Sequence, residues 1–188
     1  MSAPESVLAE RSIRRPSDNG WWTRRIPAAL FAAYLALLFW TVLWKLHEPY
    51  VGGDWMRAVK LVPFAAADGF GASAPFEVAM NVVIFVPFGV YLGILVPSLR
   101  VAASASLFAA TSVVLEVAQF VFALGSSDVT DVIVNTAGGL VGLGLVALAR
   151  RGLHARTAAV VTRICLVASV VVAGAVAVHI ASFPRLPM

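Results

Sequence analysis

Six polar side chains lie in otherwise apolar sequence and could do chemistry there: Asn81, Glu116, Gln119, Asp128, Asp131 and Asn135. Carboxylates and carboxamides are costly in hydrocarbon, so a chain that retains several of them there usually has a use for them. A deep glutamate can act as general acid or base, aspartates can orient a substrate, and carboxamides can hold a polar head group. Other chemistries find less support. The sequence has no Gly-rich phosphate loop and no nucleophile elbow, and Ser126 and Ser127 have no histidine near them in sequence to build a triad. Lys45, His47, Glu48 and Asp54 match no metal-ligand spacing and read as solvated surface, while His154 and His179 are uninformative. No metal and no cofactor is assigned.

The elements that must position the six residues are membrane helices. Hydrophobic residues make up 60% and charged residues 13% of 188 residues, and the mean hydropathy is +0.88, far more apolar than a soluble domain. The single Cys165 cannot form an internal disulfide and reads as a packing residue. A net charge of +4 would raise nucleic acid as a partner in a soluble protein, but here the basic residues flank apolar segments and set topology.

A bilayer core takes about 20 apolar residues per helix. Five stretches come close, at about 27–46, 76–96, 101–124, 129–149 and 158–182. The expected fold is therefore all-α, a polytopic membrane bundle of five transmembrane helices with the transmembrane domain at 27–182. Pro87 is expected to kink the second helix. Residues 1–26, with Arg11, Arg14, Arg15, Arg24 and Arg25, form a basic tail, and Trp21 and Trp22 mark an interface. With that tail cytoplasmic, Arg100, Arg150, Arg151, Arg156 and Arg163 also fall inside, which supports an inner amino terminus and an outer carboxyl terminus. In the outer loop at 47–75, Trp55, Met56, Val59 and Val62 recur at helical spacing, opposite Asp54, Arg57 and Lys60. A short interfacial helix and a packed loop are the two readings of that segment.

This topology gives each polar residue a depth. Asn81 lies roughly 8 Å into the second helix at 1.5 Å per residue; Gln119 is at a similar depth in the third, and Glu116 about one turn deeper. Asp128 and Asp131 open the fourth helix and Asn135 lies about two turns in. Three helices thus deliver polar groups to one outer-leaflet level. At 100° per residue Asp128, Asp131, Asn135, Gly138 and Gly142 share an arc of about 80°, and the small residues let a neighbour approach, so that face should point inward. Plainer roles compete. Asp128 and Asp131 suit capping and the helix dipole, and Asn81, Gln119 and Asn135 suit interhelical hydrogen bonding. Glu116 resists a plain role, because an ionisable group at its depth has to hold a proton or meet a partner, and no Lys or Arg lies at its level.

Four stretches together resemble the VanZ-like family of bacterial integral membrane proteins: Leu61-Val62-Pro63-Phe64, Asn81 through Phe85 and Pro87 to Gly89, Glu116-Val-Ala-Gln119, and Ser127-Asp128-Val-Thr-Asp131 continuing to Asn135, Thr136 and Gly138. They span about residues 30–150. The resemblance implies a multi-pass protein of the bacterial cytoplasmic membrane, and the family's name is tied to glycopeptide resistance of the lipid-anchored teicoplanin class. Two departures matter. Many members carry an arginine three residues before the first aspartate, where this chain has Gly125, and an asparagine before the Leu-x-Pro-Phe stretch, where it has Lys60. Lys60 is the candidate substitute for that arginine.

The favoured function is binding of a membrane lipid or a lipid-linked, glycopeptide-type amphiphile by all six residues. The alternative is an intramembrane enzyme using Glu116 as general acid or base, with Asp128 and Asp131 orienting substrate or a metal. Transport is disfavoured, because only three helices contribute polar groups, all near one side. A purely structural lock on the bundle is the remaining reading. The sequence leaves the oligomeric state open.

Overall fold

The computed structural model describes residues 20–44, 58–64, 75–124 and 126–182. The order is α1 (Gly20–Trp44), β1 (Ala58–Lys60), α2 (Pro75–Leu95), α3 (Val101–Val121), β2 (Ser126–Asp128), α4 (Val129–Leu153), a 3-10 turn (His154–Arg156) and α5 (Thr157–Ser182). The fold is all-α apart from the two three-residue strands. Among the described residues, four helical stretches are long and apolar enough to cross a membrane: Arg24–Leu43, Pro75–Leu95, Val101–Val121 and Val129–Val171. The last runs through α4, the 3-10 turn and the first part of α5, so the sequence's fourth and fifth segments form one stretch here.

Several boundaries differ from the expected ones, each for a local reason. The first helix begins at Gly20 instead of 27 and carries the buried Pro27 inside it, as a membrane helix can. The third ends at Val121, short of 124, because Ala123 turns left-handed at φ 54°. There the Leu124 N–H donates to the Gln119 carbonyl (2.8 Å) and the Ala123 N–H to Phe120 (3.2 Å), a Schellman closure with alanine in the place glycine prefers. The fourth continues to Leu153, where Arg150 and Arg151 meet the negative end of the helix dipole, and His154 closes it at φ 49°. The interfacial helix is not seen over its described part, since residues 58–60 are extended and hydrogen-bond to β2. Strand pairing satisfies the backbone of Val59 more fully than one exposed helical turn could. Trp55 and Met56 lie outside the described residues, as do His47, Glu48, Asp54, Gly125 and the tail before Gly20.

α2 and α4 form the most extensive helix pair, and they run parallel. Their contact is made backbone to backbone. A Cβ on Gly138 would stand 2.2 Å from the Val82 carbonyl oxygen, one on Gly142 2.0 Å from that of Val86, and one on Gly89 1.8 Å from that of Gly139. Only glycine allows this approach, as the arc of Gly138 and Gly142 on α4 led one to expect. α3 runs antiparallel to both, with Phe108 packed edge-on against Phe88 and set over Gly139. α1 covers α2 with Phe31, Tyr34 and Leu38, and the Tyr34 hydroxyl donates to the Ile84 carbonyl at 2.8 Å. At the far end of α2, Pro97 offers no N–H to the Gly93 carbonyl, and the Arg150 guanidinium donates to it instead.

Because the helices alternate in direction, charge separates by end. Among the described residues every acid, namely Glu77, Glu116, Asp128 and Asp131, lies toward the end that carries the strands. Of the described lysines and arginines only Lys60 lies there; Arg24, Arg25, Arg100, Arg150, Arg151, Arg156 and Arg163 lie toward the other end.

Candidate functional site

The site is built where α3 ends, α4 begins and β1 crosses over both. The two strands pair in parallel, with Ala58, Val59 and Lys60 opposite Ser126, Ser127 and Asp128. This pairing brings the Leu-Val-Pro-Phe stretch to the first turn of α4, where the buried Thr130 hydroxyl accepts the Phe64 N–H at 2.9 Å. Phe64 has φ 59°, a left-handed conformation unfavourable for a bulky residue, and the bond to Thr130 helps hold it there.

Glu116 and Asp128 are the centre of the arrangement. Glu116 Oε2 accepts the Asp128 N–H at 2.9 Å, and its own carbonyl accepts the Ser127 hydroxyl at 2.9 Å, so α3 and the start of α4 are tied twice. Asp128 is the N-cap of α4, its Oδ1 taking the Thr130 N–H at 2.8 Å. Its other oxygen lies 3.8 Å from Lys60 Nζ, with both side chains more than nine-tenths buried. The capping role and the charged role are therefore held by one residue. Lys60 also corrects the expectation that no cation reaches this level: it arrives from the loop, which helix phase alone does not position.

The other four expected residues divide. Asp131 Oδ1 accepts from Asn81 Nδ2 at 2.7 Å across the α2–α4 contact, and the Asp131 carboxyl also interacts with Glu116, so these two residues belong to the cluster. Asn135 is buried one turn deeper and donates to Ser112 Oγ at 2.8 Å, while its Oδ1 has no protein partner among the described residues. Gln119 is not brought into the cluster. Its Nε2 donates to the Val42 carbonyl of α1 at 3.0 Å, an interhelical bond in keeping with its plainer reading. Sequence reasoning passed over Ser112, Ser127 and Thr130 as partners. The signal for Ser112 was its place four residues before Glu116, on the same helix face. Among the described residues no group of three His, Cys, Asp or Glu side chains could hold a metal ion.

A cavity of about 340 Å³ opens beside the cluster. Its surface is almost entirely apolar, from Val113, Val117 and Phe120 of α3, Val129 and Val132 of α4 and Val59 of β1; Lys60, Glu116, Ser127 and Asp128 border it but turn almost no polar surface toward it. Val113 and Val117 are also exposed on the outer surface of α3, so the wall continues into the apolar outer surface of the bundle. Asn81, Gln119, Asp131 and Asn135 do not line it.

A model of the VanZ/LLP1 family matches residues 31–150, from α1 to the last turn of α4, a range that holds the whole cluster and its cavity. The chain belongs to the VanZ/LLP1 family. Among its relatives, Protein VanZ of Enterococcus faecium is 35% identical over 127 residues, covering 66% of this chain and 76% of that protein. No solved structure matches the chain. The VanZ/LLP1 match ends at Arg150, so the 3-10 turn and α5 lie beyond it.

Proposed function

We propose that this VanZ/LLP1 protein is a five-span protein of the bacterial cytoplasmic membrane that binds a lipid or a lipid-linked, glycopeptide-type amphiphile at the outer leaflet. The observation that carries the reading is the cavity, an apolar pocket of acyl-chain character that abuts the buried Lys60, Glu116 and Asp128 cluster, so that a tail seated in it would bring a head group next to those charges. Its orientation rests on the charge separation: seven arginines at one end favour that end inside, with the strands, the cavity and the last turn of α5 outside. Five spans follow from length. A continuous 43-residue helix would measure about 65 Å, roughly twice a hydrocarbon core, and the turn at His154–Arg156 divides it. The name of the relative Protein VanZ makes tolerance of acylated glycopeptides the first phenotype to examine.

The test compares an acylated glycopeptide with its deacylated form, by binding to the protein in nanodiscs. Val117→Trp fills the cavity without touching the polar cluster and is expected to weaken binding of the acylated form about tenfold or more, with the fold intact. Equal binding of both forms, or binding untouched by Val117→Trp, overturns the proposal. A second reading is favoured by the place of buried Glu116 at the border of the same cavity: as general acid or base it would act on a lipid-linked substrate held there. For that reading Glu116→Gln abolishes turnover while binding persists, and loss of binding and turnover together argues against it.

A further inference from the structure

A second cavity, of about 430 Å³, lies at the opposite end of the bundle, between the end of α2, the end of α4 and the start of α5. Ile94, Pro97 and Val146 form its apolar side, and Arg150, His154 and Thr157 its polar side. We propose that this cavity binds the phosphate-bearing head group of an anionic phospholipid in the leaflet that meets the arginine end. The size falls in the range of small-molecule sites, and its mixed lining suits a head group with the first carbons of its chains. Charge selects the sign of the ligand. Arg150 gives one donor to the Gly93 carbonyl, and the fixed fork of a guanidinium leaves others available. Arg100, Arg151 and Arg156 lie at the same end, and no described acid lies there to answer them. A zwitterionic head group carries its own cation beside the phosphate and leaves that excess uncompensated, whereas a head group with net negative charge would meet it.

The position adds a further argument. Arg150 ties α4 to α2 and stands beside the turn that sends α5 back along the bundle, so a lipid seated there would bridge three helices. Half of this lining lies past residue 150, outside the family match, which makes the site a property of this chain's last hairpin and separate from the cavity at the strand end.

Native mass spectrometry of the full chain, released from neutral micelles, tests the proposal with phosphatidylglycerol, phosphatidylcholine and inorganic phosphate offered in turn. Retention of phosphatidylglycerol is expected to exceed that of phosphatidylcholine about fivefold or more. Arg150→Gln also disturbs the Gly93 bond, so the informative variants are Ala158→Phe, which fills the cavity, and His154→Asn, which removes the imidazole and tolerates the left-handed backbone. Ala158→Phe is expected to abolish the preference, and His154→Asn to reduce it, at unchanged melting temperature. Equal retention of the two lipids overturns the proposal, as does a preference that survives Ala158→Phe. A phosphate adduct without a lipid adduct overturns it in favour of a free-anion site.

Discussion

Replacing Lys60 with methionine leaves most of the side-chain volume in place and removes the cation beside Asp128. At 3.8 Å the pair attracts by about 4 kcal/mol at an effective dielectric constant of ~20. With both side chains more than nine-tenths buried, taking one away strips a buried charge of this counter-ion, a loss of about 3 kcal/mol. Asp128→Asn alone takes the anion of this pair away from Lys60 and is also destabilising, yet asparagine caps a helix as well as aspartate, so the bond to the Thr130 N–H survives. The double variant Lys60→Met with Asp128→Asn removes both charges and keeps the cap. It should recover much of the loss, with a coupling of about 2 kcal/mol or more in the cycle. The assay is reversible unfolding in mixed micelles for the four proteins, beside glycopeptide tolerance of cells expressing each. If the single losses add to within about 0.5 kcal/mol, the pair is not coupled and the reasoning about Lys60 fails.

Other variants probe the frame around the site. Gly142→Leu forces a side chain toward the Val86 carbonyl and should cost about 3 kcal/mol or prevent folding, whereas Gly144→Ala, one turn face away with open space around it, should be neutral or stabilising by about 0.5 kcal/mol; thermal melts of both decide. Ala123→Val puts a β-branched residue at φ 54° and should lower stability by about 1–2 kcal/mol, read from the same melts. Thr130→Val keeps the shape but takes the acceptor from the Phe64 N–H, so hydrogen exchange around Phe64 should accelerate at least about fivefold while α2 and α4 keep their protection.

Much of the bundle could be read from sequence because membrane helices announce themselves by length and their faces by phase. Gly138 and Gly142 identified the contact face of α4, and Asp131 and Asn81 met across it. Phase does not say which neighbour a face meets. Gln119 lies three residues from Glu116, yet it bonds to α1 while Glu116 bonds to the start of α4. The strands were less legible still. Three residues carry too little periodicity to outweigh the apparent helical spacing of Val59 and Val62, and their pairing joins segments 68 positions apart in number, as in Lys60 and Asp128. Lys60 could be singled out only as a departure from the family's pattern; its reach to Asp128 depends on that pairing. The boundary at Ala123 was hidden for another reason, since an alanine gives no warning of a left-handed turn.

The parallel contact of α2 with α4 also sets a timetable for biogenesis. Asn81 finds its partner Asp131 fifty positions later in the chain. At ~5–20 residues per second the ribosome needs about 3–10 s to make that interval. For those seconds α2 waits beside the insertion machinery with its carboxamide unmatched and its glycine groove uncovered, while α3, made in between, returns in the opposite direction. The cluster can close only once α4 arrives, so nascent chains stalled before Asp131 should remain with the machinery, and longer ones should leave it.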